Sequence, residues 1–159
     1  MASTILGVAL NETPTALNNA AFEQEGHALG TIHVDHRGYR WMYVRAEGAL
    51  SVGTVVAIDE AYDAFPLTKA LADAGNKIGI SQVAAADEDF CWVLIQGIGQ
   101  ALVLSLCAAD VALYTCATAG SLDDTPTSQT KINGAILTTA RAASDGLAPV
   151  RLTVEPFAV

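Results

Sequence analysis

The segment Gly48-Ala-Leu-Ser-Val-Gly-Thr-Val-Val-Ala-Ile58 decides the fold. Gly48 and Gly53 bracket a short apolar piece, Ala49 to Val52, and Thr54 to Ile58 is a β-branched run that stops at Asp59-Glu60. β-Branched side chains fit a pleated surface and glycine supplies the turns, so the segment reads as strand, turn and strand.

The same texture extends in both directions. Thr31-Ile-His-Val34 precedes a turn at Asp35-His-Arg-Gly38, and Tyr39 to Arg45 (YRWMYVR) is aromatic and alternating. Further strands are expected at Ala64 to Leu67, Lys77 to Val83, Phe90 to Gln96, Ala101 to Cys107, Ala112 to Cys116, Gly134 to Thr139 and Val150 to Val154. Many follow one another at about 8–12 residues with turn residues between, the spacing of a sandwich or small barrel. Thr68 to Ala74 has room for one helical turn. The expected fold is all-β: a small β-barrel or β-tulip-like unit of short antiparallel strands over residues 31–159. Residues 1–30 are rich in Asn, Ala, Thr and Glu and show no sustained period. Their apolar members, Leu17 and Phe22 among them, suit an extended N-terminal arm that packs on a neighbouring subunit.

The β region carries an approximate internal repeat. With Gly48 set on Ser105, Val55 to Ile58 falls on Ala112 to Thr115, and Lys77-Ile-Gly-Ile80 falls on Lys131-Ile132 and, across Asn133, Gly134-Ala135. The turn Ala84 to Asp87 matches Ala140 to Asp145, and Trp92 to Ile95 matches Val150 to Thr153. Two such units closing on one core predict a barrel with approximate two-fold symmetry.

The chain has 159 residues and a net charge of −9, with eight basic groups against seventeen acidic ones. No Lys or Arg stands between Lys77 and Lys131, which argues against a nucleic-acid surface. Hydrophobic residues make up 52% and charged residues 16%, so much of the outer surface is expected to be covered by something else. Phe90 to Ala109 is an uncharged run of twenty, but Gln96, Gly97, Gly99 and Gln100 interrupt it. It reads as two buried strands around a Gly turn rather than a membrane span. The N-terminus lacks the basic region of a signal peptide, so Cys91, Cys107 and Cys116 are expected to be free, buried thiols.

Catalytic and cofactor motifs do not emerge. His27, His33 and His36 fall within ten residues, and His33-x-x-His36 could reach one metal. Yet zinc wants three or four fixed ligands, and neither an HExxH nor a nearby cysteine accompanies the pair, so the histidines read as turn residues. The acidic pairs and triplets Asp59-Glu60, Asp87-Glu-Asp89 and Asp123-Asp124 sit at expected turns without calcium-loop spacing. Gly97-Ile-Gly99 lacks the third glycine and the helix of a dinucleotide loop. The expectation is a protein that is not an enzyme and needs no metal or cofactor. Trp41 and Phe157 are the large aromatics placed to touch a neighbouring subunit.

Tyr39-Arg-Trp-Met-Tyr-Val44 leading into Gly48 to Val56 resembles the small head-decoration, or cement, proteins of tailed bacteriophages. Phe90-Cys-Trp-Val93, Ala112-Leu-Tyr-Thr115, Ala117-Thr-Ala-Gly120, Leu122-Asp-Asp124 and Gly134-Ala-Ile-Leu-Thr-Thr139 share that resemblance. It covers residues 31–159 and rests on structural rather than catalytic motifs. It implies a virion protein, made in the host cytoplasm, that binds the outer capsid surface after expansion. Its implied partners are the major capsid protein and itself, as a homotrimer, with no nucleic acid or membrane. Leu17, Phe22, Trp41 and Phe157 are the expected capsid or intersubunit contacts. A host- or glycan-binding β module using Trp41 and Tyr62, a tail or head–tail joining protein, and a small β-barrel enzyme are the alternatives.

Overall fold

The computed structural model describes residues 27–153. Among these residues the fold is all-β, with one helical turn. The strands are β1 (Ile32–Val34), β2 (Arg40–Ala46), β3 (Val55–Ile58), β4 (Asp63–Pro66) and β5 (Lys77–Ser81), then β6 (Phe90–Val103), β7 (Ala112–Thr115), β8 (Leu122–Asp123), β9 (Lys131–Leu137) and β10 (Gly146–Leu152). The helix α1 (Lys69–Asp73) starts at Thr68, whose hydroxyl accepts from the Leu71 N–H, and it buries Ala72.

The strands close two rings. In the first, β2 pairs in parallel with β4, then β4 with β3, β3 with β5, β5 with β6, and β6 back to β2, all antiparallel after the first. In the second, β6 pairs in parallel with β8, then β8 with β7, β7 with β9, β9 with β10, and β10 back to β6. The β6 strand is the last strand of the first ring and the first of the second. The pairing orders are identical, so the repeat in the sequence is a repeat in topology. Each half closes its own five-stranded barrel instead of sharing one, which corrects the single two-fold barrel expected above.

The register fixes the equivalences. Tyr43 stands opposite Trp92 in the first barrel, and Gln100 stands opposite Pro149 in the second. Tyr43 and Gln100 are 57 positions apart, as are Trp92 and Pro149. The structural partner of Trp92 is therefore Pro149, one residue short of the Val150 expected from sequence. The slip matters because one residue in a strand exchanges its two faces. Inward-facing Val93 corresponds to inward-facing Val150, and both are fully buried.

The Gly turn expected inside Phe90 to Ala109 is absent, because β6 runs unbroken for fourteen residues. Gly97 takes φ of 130°, which L side chains rarely adopt, and a Cβ there would lie 2.4 Å from the Tyr39 ring. Glycine lets the strand bend from one barrel into the next, with Tyr39 laid over the bend, while the ladder continues on both sides. Ala49 to Val52 is not a strand; it contributes one isolated bridge, Leu50 to Ala85.

Two interiors result. Met42, Val44, Val56, Ile58, Cys91, Val93 and Ile95 fill the first barrel. Leu113, Leu122, Leu137, Val150 and Leu152 belong to a second cluster, which also takes in Val55, Ile78 and Ile80 from the outer faces of β3 and β5. The β3 strand is thus buried on both faces, which is why its sequence is continuously apolar. Each large side chain so buried contributes about 1.5–3 kcal/mol. No helix among the described residues is long and apolar enough to cross a membrane.

Candidate functional site

The outward face shared by β2 and the first half of β6 carries Trp41, Tyr43, Phe90, Trp92 and Leu94, with Leu29 and Tyr39 packed against them. The rings of His27 and His33 approach Trp92 at 5.0 and 6.1 Å between centroids. This is aromatic packing and makes those two imidazoles part of a cover over the aromatic layer. The β1 strand pairs with β2, and the Gly30 N–H donates to the Tyr43 carbonyl while the Tyr43 N–H donates to the Thr31 carbonyl. Residues 27–34 therefore lie over the first barrel's aromatic face.

Trp41 is part of this covered layer. It is 6% exposed, and its indole N–H donates to Asp35 at 3.4 Å. A ring so enclosed is a packing residue within the subunit, not an outer-surface aromatic ready for a neighbour or a sugar. Of the two aromatics considered for glycan contact, Tyr62 alone is exposed, with its ring packed over Gly30. Leu17, Phe22 and Phe157, the other expected contacts, lie outside the described residues, as does most of the expected arm.

The equivalent face of the second barrel is different. There the positions of Trp41, Tyr43 and Arg45 are held by Ile98, Gln100 and Leu102, and those of Phe90, Trp92 and Leu94 by Leu147, Pro149 and Arg151. Ile98 is 46% exposed and Leu147 40%, with Val52 (42% exposed) in the loop beside them, next to the Gly53 that Leu147 touches. Sequence reading missed this face because its residues lack aromatics; the constant offset from Trp41 to Ile98 was the signal that marks it. At the strand edge, the Gln82 side chain takes the place of a backbone. Its Nε2 donates to the Gln100 carbonyl at 3.0 Å and its Oε1 accepts the Gln100 N–H at 3.0 Å. Those are the two bonds that Gly30 and Thr31 make to Tyr43.

Further along, Leu106 is the most exposed large apolar residue described, at 76%, and has φ of 65°. An L side chain at that φ costs roughly 1–2 kcal/mol, which a surface turn avoids by using Gly or Asn.

Several titratable groups are occupied by structural bonds. Burial raises the Asp35 carboxyl, but the N–H groups of Tyr39 and Arg37, the Arg37 guanidinium and the Trp41 indole outweigh it and hold the pKa at about 2. Arg45 makes two contacts with Asp63, at 2.9 and 2.7 Å, and also meets Glu47 and Glu88. The paired Asp63 carboxylate pushes its pKa up. Asp73 is held low by hydrogen bonds from Lys69 and Thr130. Cys91, Cys107 and Cys116 are buried and free, as expected. Burial pushes Cys91 and Cys107 up to about 12, with the nearby Asp89 adding to the first and the bonded Asp123 to the second. Among the described residues two groups of possible ligands converge, Cys107 with Asp123 and Asp124, and Glu47 with Asp87 and Glu88. Each already has work: Asp123 accepts from the Cys107 thiol, Asp124 from the Ala108 N–H, Asp87 from the Gly48 N–H, and the two glutamates pair with Arg45.

No family model matches the chain, and no curated protein is significantly similar to it.

Proposed function

We propose that the chain is a structural virion subunit that binds the outer surface of a phage capsid and ties neighbouring capsid subunits together. The observation that carries this reading is Leu106, an apolar side chain held in solvent in the connection between β6 and β7, in a backbone conformation that costs stability. Strain kept at an exposed position points to contact with something outside the subunit. The low fraction of charged residues supports the same reading, as does the resemblance in residues 31–159 to head-decoration proteins. In this reading the subunit works as a homotrimer, and its multivalent array on the capsid strengthens contacts that are individually weak.

Light scattering of the full chain, alone and with purified empty heads of the encoding phage, tests the proposal. A trimer that co-sediments with heads, and loses at least about tenfold in occupancy in Leu106→Asp, is the expected result. A monomer that ignores heads overturns it and returns attention to Tyr62 and the glycan-binding alternative.

A further inference from the structure

The two barrels share one topology, yet the first has its outward β2–β6 face covered by residues 27–34 and the second has the matching face open. We propose that this open face, centred on Ile98 and Leu147, is a docking groove for the Thr4–Leu10 segment of a second copy of the chain. The inference rests on the oligomeric reading above, which makes the donor a neighbouring copy.

The occupant follows from what covers the first barrel. There the cover is a segment whose Gly30 N–H and Thr31 carbonyl bond Tyr43 after a turn at Leu29–Gly30, and whose Ile32 and His33 continue along β2. Twenty-six residues precede His27, and they contain a second Thr-Ile pair, Thr4-Ile5, followed by Leu6, Gly7, Val8, Ala9 and Leu10. Leu6, Val8 and Leu10 alternate with small residues, and no charge occurs before Glu12, as an apolar strand against an apolar face requires. With Thr4-Ile5 in the place of Thr31-Ile32, Leu6 takes the place of His33 and stands opposite Ile98, as His33 stands opposite Trp41. The Gln82 amide already makes the two bonds on Gln100 that a backbone N–H and the carbonyl of the next residue in an incoming strand would make. Docking exchanges the side-chain amide for a backbone N–H and carbonyl, so the Gln100 groups stay bonded while the Gln82 amide turns to water. Gln82 thus seals the edge while the groove is empty and yields it when the segment arrives.

Two full-length variants of different mass, Leu6→Cys and Ile98→Cys, are mixed and treated with a short bismaleimide. The native thiols are buried, so the introduced ones react first. The expected product is a linked pair containing one chain of each mass. Its yield falls at least about tenfold when Leu147→Asp is added, and rises severalfold with Gln82→Ala, which removes the competing amide. Absence of the mixed product, linkage confined within single chains of a Leu6→Cys/Ile98→Cys double variant, or an unchanged yield in Gln82→Ala overturns the inference. Head binding is scored on the same preparations. Heads bound without the cross-link sink the groove alone, and the cross-link without head binding sinks the capsid role alone.

Discussion

The first barrel and the second are built by the same rule and finished differently. In the first, β2 and β6 turn five aromatic and apolar side chains outward, and residues 27–34 lie over them as an extra strand and its lead-in. In the second, the same positions hold smaller and more polar residues, and one glutamine side chain replaces the strand. Topology is set by which backbone edges pair, and that survives wholesale change of the outward residues. The outward residues decide what the barrel meets next. Even small details recur: Asp87 accepts from the Gly48 N–H at 2.7 Å, and Asp145 accepts from the Ser105 N–H, at the equivalent turn, at 2.8 Å.

The sharpest way to break this equivalence is at the passage between the barrels. The counterpart of Gly97 in the first barrel is Arg40, a strand residue beside a register shift but without a positive φ. Gly97→Val places a β-branched side chain at a φ of 130° and drives its Cβ into Tyr39. We expect a loss of about 3 kcal/mol or more, read by urea unfolding, and a much smaller effect from Arg40→Val.

Next come the interiors. Leu113→Ala in the second barrel and Ile58→Ala in the first should each cost about 2–5 kcal/mol. Because Val55, Ile78 and Ile80 of the first barrel lie in the second barrel's cluster, both variants should shift one common transition. A melt that splits into two steps would show that the barrels unfold independently.

A smaller effect tests the glutamine. Gln82→Ala should cost about 0.5–1.5 kcal/mol, since water reaches the freed Gln100 groups. Hydrogen exchange at the Gln100 amide should accelerate while that of Tyr43, held by Thr31, stays slow.

The last test is pH. Asp35 anchors the turn that returns β1 to β2, and its pKa is held at about 2 against an ordinary 3.8. A depressed carboxyl favours the folded state above the unfolded value, and this contribution is lost as pH falls from about 4 to about 2. Followed by NMR, the Asp35 carboxyl should titrate with a midpoint near the lower value. Asp35→Asn should flatten the pH dependence of stability in that window.

Much of this fold is legible in the sequence. The β-branched run at Val55–Ile58, the helical turn at Thr68 and the alignment of Gly48 with Ser105 each correspond to a real element. What sequence could not supply was pairing. A period of two says that a strand has two faces but not which neighbour it joins, so two rings and one ring looked alike. The glycines of β6 were misread because a bend and a turn use the same residue type. The β8 strand, two residues long, leaves no periodic trace. The open face of the second barrel was missed for a different reason: Ile98 and Leu147 become remarkable in position only when compared with Trp41 and Phe90.

The shared strand also sets an order of assembly. All five strands of the first barrel lie between Arg40 and Gln96, so that barrel can close as soon as the ribosome has released residue 96. The second barrel has no such freedom, because its first strand is the far end of β6. Its remaining strands must build outward from an edge that the finished barrel holds in place. Synthesis thus presents β7 to β10 with a rigid template, and the slow search for long-range strand partners is confined to one half of the molecule at a time.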